Sequence, residues 1–414
     1  MITLIKNASQ IFTVESKGKL FKRGNDLKNI CPLTNHSIVI EDELIKDLVP
    51  NNSSIKADEI IDAKNCIILP GLVECHTHSA FAGSRSNEFL MRLKGATYEE
   101  IANAGGGIIS TMKAVRDSSF DELINLLYPR INHFISQGVT TLEIKSGYGL
   151  SFYDEIKLLQ VINYFKKNSA INIVPTFLGA HTFPPEYRND HKSYLELIIN
   201  QLLPFIKKNN LAEAVDAFLE TSAFNSNEVD LIFSNAKKLG FNLRLHTDQF
   251  NSIGGIDLAI KHKINSVDHL EVIKDEDIEK ISKTKIASVL LPGVSFFLDY
   301  QFAPARKLID HNAIIALSTD FNPGSSHIPN IQFIMQLAAL KMKMSIEEII
   351  SAVTLNSAFA LGLSDKIGSI EIGKEASFAI FNAKDISELI YHIGYNLNKF
   401  TISKGKIIYT NPEL

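Results

Sequence analysis

The chain has 414 residues, 45% of them hydrophobic, and a formal net charge of −4, so it can bury a large core and carries no global field favouring nucleic acid or a membrane surface. Its three cysteines, Cys31, Cys66 and Cys75, are an odd and widely spaced set, which speaks against a disulfide framework and for a reducing compartment. The first residues alternate like a strand, and no stretch approaches the roughly 18 apolar residues that span a bilayer, so a soluble cytoplasmic protein is expected.

From the N-terminus, alternating runs at 2–5, 11–14, 37–40 and 59–63 are separated by Asn, Gly, Asp and Pro, the pattern of a small antiparallel β unit. The stretch 66–78, Cys-Ile-Ile-Leu-Pro-Gly-Leu-Val-Glu-Cys-His-Thr-His, is an apolar run that breaks at Pro70-Gly71, resumes, and ends in His76 and His78. Residues two apart on an extended chain point to the same side, so both imidazoles project together from one strand end.

Beyond it the rhythm changes. Short apolar runs recur at 139–144, 172–178, 214–219, 242–245, 265–267, 286–291 and 314–317, with amphipathic stretches at 154–166, 194–208, 227–239 and 275–282 between them. Alternating strand and helix predicts a parallel sheet. With the opening run there are eight repeats over about 250 residues, the size of a closed (β/α)8 barrel. A doubly wound open sheet is the alternative. Strand-like segments with tight turns return at 368–381 and 401–409, so the fold expected is α/β: a barrel over 66–365 and a small β-sandwich built from both chain ends, 1–65 plus 366–414.

Active sites of such barrels sit at the C-terminal strand ends. Here those ends carry His76-Thr-His78, Glu143 to Tyr148, His181, Glu220, His246-Thr-Asp-Gln249, Asp268-His269, Pro292-Gly293 and Ser318-Thr-Asp320, so five of the twelve histidines cluster where a barrel would use them. His76, His78, His246 and Asp320 form a candidate set of three imidazoles and a carboxylate, suited to zinc or iron and to activating a water. Taken alone, Asp320 reads equally well as a helix cap after a strand. His133, His191, His262, His311 and His392 fall on predicted helices or polar loops and read as packing or solvated groups. His36 lies in a loop, and His327 stays open.

The run Leu69-Pro-Gly-Leu-Val-Glu-Cys-His-Thr-His78, the later His246, His269 and Asp320, and the closing Gly368-Ser-Ile-Glu-Ile-Gly-Lys374 resemble the amidohydrolase superfamily. A narrower likeness, to the branch acting in histidine degradation, rests on Ala80-Phe-Ala-Gly-Ser-Arg85, Ala104-Gly-Gly-Gly-Ile108, Glu143-Ile-Lys-Ser-Gly-Tyr-Gly149, Phe177-Leu-Gly-Ala-His181, His246-Thr-Asp-Gln249 and Ser318-Thr-Asp-Phe-Asn-Pro-Gly324. The resemblance implies a homodimer with one Zn(2+) or Fe(3+) per subunit, and a small-molecule substrate, 4-imidazolone-5-propanoate, opened by water to N-formimidoyl-L-glutamate. It further implies the metal ligands His76, His78, His246 and Asp320, and substrate contacts from Arg85, Tyr148, His181, Gln249, Asn322, Gly324 and Ser325.

Physical chemistry agrees with that transfer. A propanoate needs a cation in fork geometry, and Arg85 follows the histidine pair on the first strand-to-helix loop, although a solvated loop arginine is an equal reading of the sequence. The Tyr148 hydroxyl and His181 imidazole can hydrogen-bond the ligand, and the 322–325 turn can offer backbone N–H groups to a carboxylate. The glycine-rich 104–107 stretch lacks the context of a dinucleotide site and reads as a mobile segment beside the pocket. In the expected mechanism Asp320 is the base, and His269 stabilises the oxyanion or shuttles the proton.

Two departures stand out. Related deaminases carry Glu where this chain has Gln249, and an amide cannot carry a proton; many superfamily members carry Asp where Ser377 stands, from which only a stability effect is expected. The competing readings are a metal-dependent deaminase of a cyclic amidine of the guanine or cytosine type, opposed by Gln249 and Arg85, and a non-catalytic scaffold, opposed by the complete ligand set.

Overall fold

The computed structural model describes residues 1–96 and 106–414. Ala104 and Gly105 of the glycine-rich stretch lie outside the described residues. Among the described residues no helix is long and apolar enough to cross a membrane.

Eight strands form one parallel sheet in chain order: Leu72–Glu74, Val139–Lys145, Asn172–Ala180, Ala214–Phe218, Asn242–Thr247, Ser266–His269, Ala287–Leu290 and Ile314–Leu317. The sheet closes on itself just past the first and eighth strands, where Thr77 bridges Phe321 in parallel, Asp320 N donates to His76 O at 3.2 Å and His78 N donates to Phe321 O at 3.0 Å. Helices cover the outside, so each strand is buried on both faces, and inward and outward positions must be told apart by chemistry. On the second strand Leu142 and Ile144 join the apolar layer under the helices, while Glu143 and Lys145 alternate with them. The fifth strand repeats this, with Leu243 and Leu245 in the apolar layer and Arg244 and His246 between them.

The helices start where side chains can cap them. Ser151 accepts from Asp154 N before the helix Phe152–Asn168, and Asn225 with Glu228 forms a reciprocal capping box before Ser226–Lys238. The expected helix over 194–208 is interrupted: Leu197–Leu202 winds as a π-helix between His191–Glu196 and Leu203–Lys208. Pro204 lies directly after the wide turn, and a proline has no N–H to give back to an α-helical carbonyl.

The other two sheets explain the break at Pro70-Gly71. Ile67–Pro70 is not a barrel strand. It runs antiparallel to Phe378–Phe381 and parallel to Gln10–Phe12 in a six-stranded sheet drawn from both chain ends. A four-stranded sheet of Leu44–Pro50, His36–Glu41, Ile2–Lys6 and Glu59–Asp62 packs on it through Ile5, Ile38, Ile40, Ile68, Phe378 and Ile380. The chain therefore passes from sandwich to barrel within one residue. Gly71 makes the crossing: its N–H donates to Ser377 O at 2.9 Å, and a Cβ there would lie 2.1 Å from Thr140 Oγ1. Ser377 thus holds this crossing through its backbone.

Gly71→Ala is expected to destabilise the protein by ~1–3 kcal/mol through overpacking against Thr140. Urea unfolding checks this, and adding Thr140→Ala should recover part of the loss.

Candidate metal centre and active site

The barrel brings four of the predicted residues to one point. His76 Nε2 and His78 Nε2 lie 3.3 Å and 3.2 Å from Asp320 Oδ1, and His246 Nε2 lies 3.3 Å from His78 Nε2. All four side chains are buried. The other nitrogens of two of these rings are committed: His76 Nδ1–H donates to Asp268 Oδ2 at 2.6 Å, and His246 Nδ1–H to Asp216 Oδ1 at 3.0 Å. Each carboxylate thereby fixes the tautomer that leaves an Nε2 lone pair facing inward. His76 Nε2 and Asp320 Oδ1 are buried with no hydrogen-bond partner. Lone pairs facing lone pairs in a dry site are unfavourable without a cation, so the donor set fits a divalent or trivalent metal. Burial pushes the His246 pKa down to about 3 despite the pull of Asp216, whereas against its burial that of His76 is raised to about 9 by Asp268 and Asp320, so His76 must give up a proton when a metal binds.

Beneath this cluster lies a layer of charge. Lys145 Nζ sits 2.9 Å from both Glu143 Oε1 and Asp216 Oδ2, and Arg244 Nη1 donates to Glu143 Oε1 and Thr176 Oγ1 at 2.9 Å. Glu143 Oε2 in turn accepts from Thr77 N at 3.0 Å, between the two histidines. Burial opposes the charge on Lys145, but Asp216 and Glu143 hold its pKa above the ordinary lysine range. Burial likewise opposes the charge on Asp216, and His246 with Lys145 outweighs it, keeping the carboxylate ionised.

The remaining candidates surround the cluster unevenly. His181 stacks on His78 with ring centroids 5.1 Å apart, and its Nδ1–H donates to Gly147 O at 2.9 Å. Burial and the neighbouring His78 and His246 hold it neutral, so its Nε2 is an acceptor. Tyr148 is buried beside both rings, 5.9 Å from His78 and 5.3 Å from His181, and burial raises its hydroxyl pKa, so it remains a donor. His269 lies 5.4 Å from His246 and 5.9 Å from His76 by ring centroids, with Nδ1 3.4 Å from Glu271 Oε1. Gln249 is buried on the turn after the fifth strand, where Glu220 accepts from Phe250 N and Asn251 N at 3.1 Å each.

The 322–325 turn differs from expectation. Its N–H groups are not free: Asn322 Oδ1 accepts from Gly324 N at 2.8 Å and Ser325 N at 2.7 Å, so the side chain satisfies its own turn. Asn322 Nδ2 also reaches Asp320 Oδ2 at 3.0 Å. Arg85 comes to the same turn, since a Cβ on Gly324 would lie 2.1 Å from Arg85 Nη1. His327 packs against Phe81 and Phe321. His191 stacks on Phe183 at 3.6 Å and His262 pairs with Asp230 at 2.6 Å, both in packing roles.

Sequence reasoning missed Asp216, Lys145 and Arg244, and read Asp268 only as a neighbour of His269. The available signal was charge at alternate positions of otherwise apolar strands.

Residues 67–410 match the model of the amidohydrolase family. The chain is 43% identical over 403 residues to the imidazolonepropionase of Thermoanaerobacter pseudethanolicus, covering 97% of each chain. It is 40% identical over 413 residues to that of Christiangramia forsetii, covering 99% of this chain and 100% of that one. Among solved structures, an adenosine deaminase from Xanthomonas campestris with bound zinc shares the fold, with a TM-score of 0.74 at 18% identity over 100% of this chain and 94% of that one.

Replacing Asp216 by Asn removes the carboxylate that orients His246 and should weaken metal binding about 10–100-fold. Competition against a chromophoric chelator measures the change.

Proposed function

This chain belongs to the amidohydrolase family, and we propose that its reaction is the hydrolytic ring opening of 4-imidazolone-5-propanoate to N-formimidoyl-L-glutamate in histidine degradation. The observation that carries this reading is the 322–325 turn. Asn322 touches Asp320 at the candidate metal centre, and Gly324, two residues on, seats the Arg85 guanidinium. A cyclic electrophile with an anionic tail suits that pairing of hydrolytic centre and cation. The near full-length likeness to imidazolonepropionases supports the same substrate.

His76, His78, His246 and Asp320 would hold one zinc(II) or iron(III) ion per subunit. When bound, the ion supplies a Lewis acid that lowers the pKa of water. Asp320 takes the proton of the attacking water, whose oxygen bonds to the ring carbonyl carbon. His269 donates to the oxygen as it becomes negative. The carbon–nitrogen bond then breaks, and the nitrogen leaves with the proton held by Asp320. Arg85 receives the propanoate, and Tyr148 as donor and His181 as acceptor read the ring and its substituents. Gln249 contributes hydrogen bonds only, because an amide cannot relay a proton; Asn322 and Ser325 shape the pocket floor with Gly324. A homodimer working in the cytoplasm on this small molecule completes the reading, and light scattering of the purified protein tests the dimer.

Purified protein should consume the imidazolone, followed by its ultraviolet absorbance. Dialysis against a chelator should abolish the decay, and zinc or iron should restore it; decay indifferent to chelation would overturn the reading. His269→Ala should keep its metal content by elemental analysis while turnover falls about 10²–10⁴-fold.

A further inference from the structure

Arg85 is fixed in place before any ligand arrives. Its Nε–H donates to Glu88 Oε2 at 2.8 Å, one turn along the helix Ser86–Leu93. Glu88 is only 9% exposed, and its second oxygen accepts from Gly107 N at 3.1 Å. The face of the guanidinium lies against Gly324: a Cβ there would meet Nη1, Cζ and Nη2 at 2.1, 2.5 and 3.0 Å. Gly324 is itself pinned on both sides, its N–H to Asn322 Oδ1 at 2.8 Å and its carbonyl to Arg92 Nη2 at 3.0 Å. One edge of the guanidinium is thus tied to Glu88 and one face to Gly324, and among the described residues the Nη edge is left to meet an anion.

We propose that Glu88 is a positioning residue for Arg85, setting where the guanidinium meets the substrate carboxylate and so which side-chain length the enzyme accepts. This rests on the reading above, that Arg85 receives the propanoate. Two effects of Glu88 oppose each other. As an anion beside Arg85 it weakens the pull on a second carboxylate. As a tether it spares Arg85 the rotamer entropy that a long, free side chain loses on binding. Geometry decides between them, because Glu88 is spanned between Arg85 and the Gly107 backbone and cannot follow the arginine elsewhere. The tether outweighs the competing charge.

The two effects predict opposite signs, which makes the test decisive. Steady-state kinetics would be run on the metal-loaded enzyme with 4-imidazolone-5-propanoate and with the analogue one methylene shorter. Arg85→Met should raise KM for the propanoate by about 100-fold. Glu88→Ala should raise it by about tenfold with kcat changed less than twofold, and should narrow the preference for propanoate over acetate. Glu88→Gln keeps an acceptor for the Arg85 Nε–H, so it should fall between wild type and Glu88→Ala, and it carries the test if the alanine variant does not fold. An unchanged or lowered KM in the Glu88 variants, with Arg85→Met impaired, overturns the positioning role alone. An unchanged KM in Arg85→Met overturns the assignment of Arg85 beneath it.

Discussion

The contact on which the rest of the site depends is Lys145 between Glu143 and Asp216 in the closed interior of the barrel. These groups are fully buried, so each charge is tolerable only while its partners stay in place. Removing one partner of such a buried pair costs about 3–5 kcal/mol, because the others are left uncompensated. Through Asp216 the network sets the His246 ring, and through Glu143 it fixes Thr77 between His76 and His78. The second, fourth and fifth strands are thereby tied to the first. Metal geometry is then inherited from an electrostatic constraint inside the barrel, not assembled by the loops above it.

The seam between the first and eighth strands adds a second constraint. Glu74 accepts from Thr319 N at 3.2 Å and from the Ser318 hydroxyl, and His76 O and His78 N pair with the backbone of Asp320 and Phe321. Three of the four candidate ligands therefore lie within the hydrogen bonds that close the barrel. Nearby backbone is held in left-handed conformations that side chains disfavour, at Asp248 (φ 55°), His269 (φ 86°), Leu270 (φ 71°) and Asp320 (φ 49°). Such conformations persist only where surrounding packing over-determines them, and here they sit at the C-terminal strand ends that carry the chemistry.

The sequence made the strand-end residues legible because their period and position are local properties. His76 and His78 are two apart on one strand, and His246, His269 and Asp320 each follow a short apolar run. The partners that fix them were hidden because pairing between strands is not local. Nothing near Asp216 announces that it meets His246, and Asp268 beside His269 reads as part of a motif until the fold turns it toward His76. The run 66–78 reads as one opening barrel strand despite its break at Pro70-Gly71, yet it divides between two sheets, Ile67–Pro70 in the sandwich and Leu72–Glu74 in the barrel. The 322–325 turn was recognisable as a turn, but the use of its N–H groups depended on where the Asn322 side chain folded.

The seam also dictates when the site can come into being. His76 and Asp320 bracket the whole barrel, and the sandwich strand that leads into it, Ile67–Pro70, gains its antiparallel neighbour only with Phe378–Phe381. A nascent chain lacking its last quarter holds three candidate ligand histidines, His76, His78 and His246, with neither the carboxylate that completes the set nor the strand Phe378–Phe381 that pairs with Ile67–Pro70. High metal affinity is thus a property of the finished chain alone. Because binding energy at such a centre is also folding energy, capture of the ion rewards the last and most distant pairing, locking a topology whose long loops are otherwise slow to close.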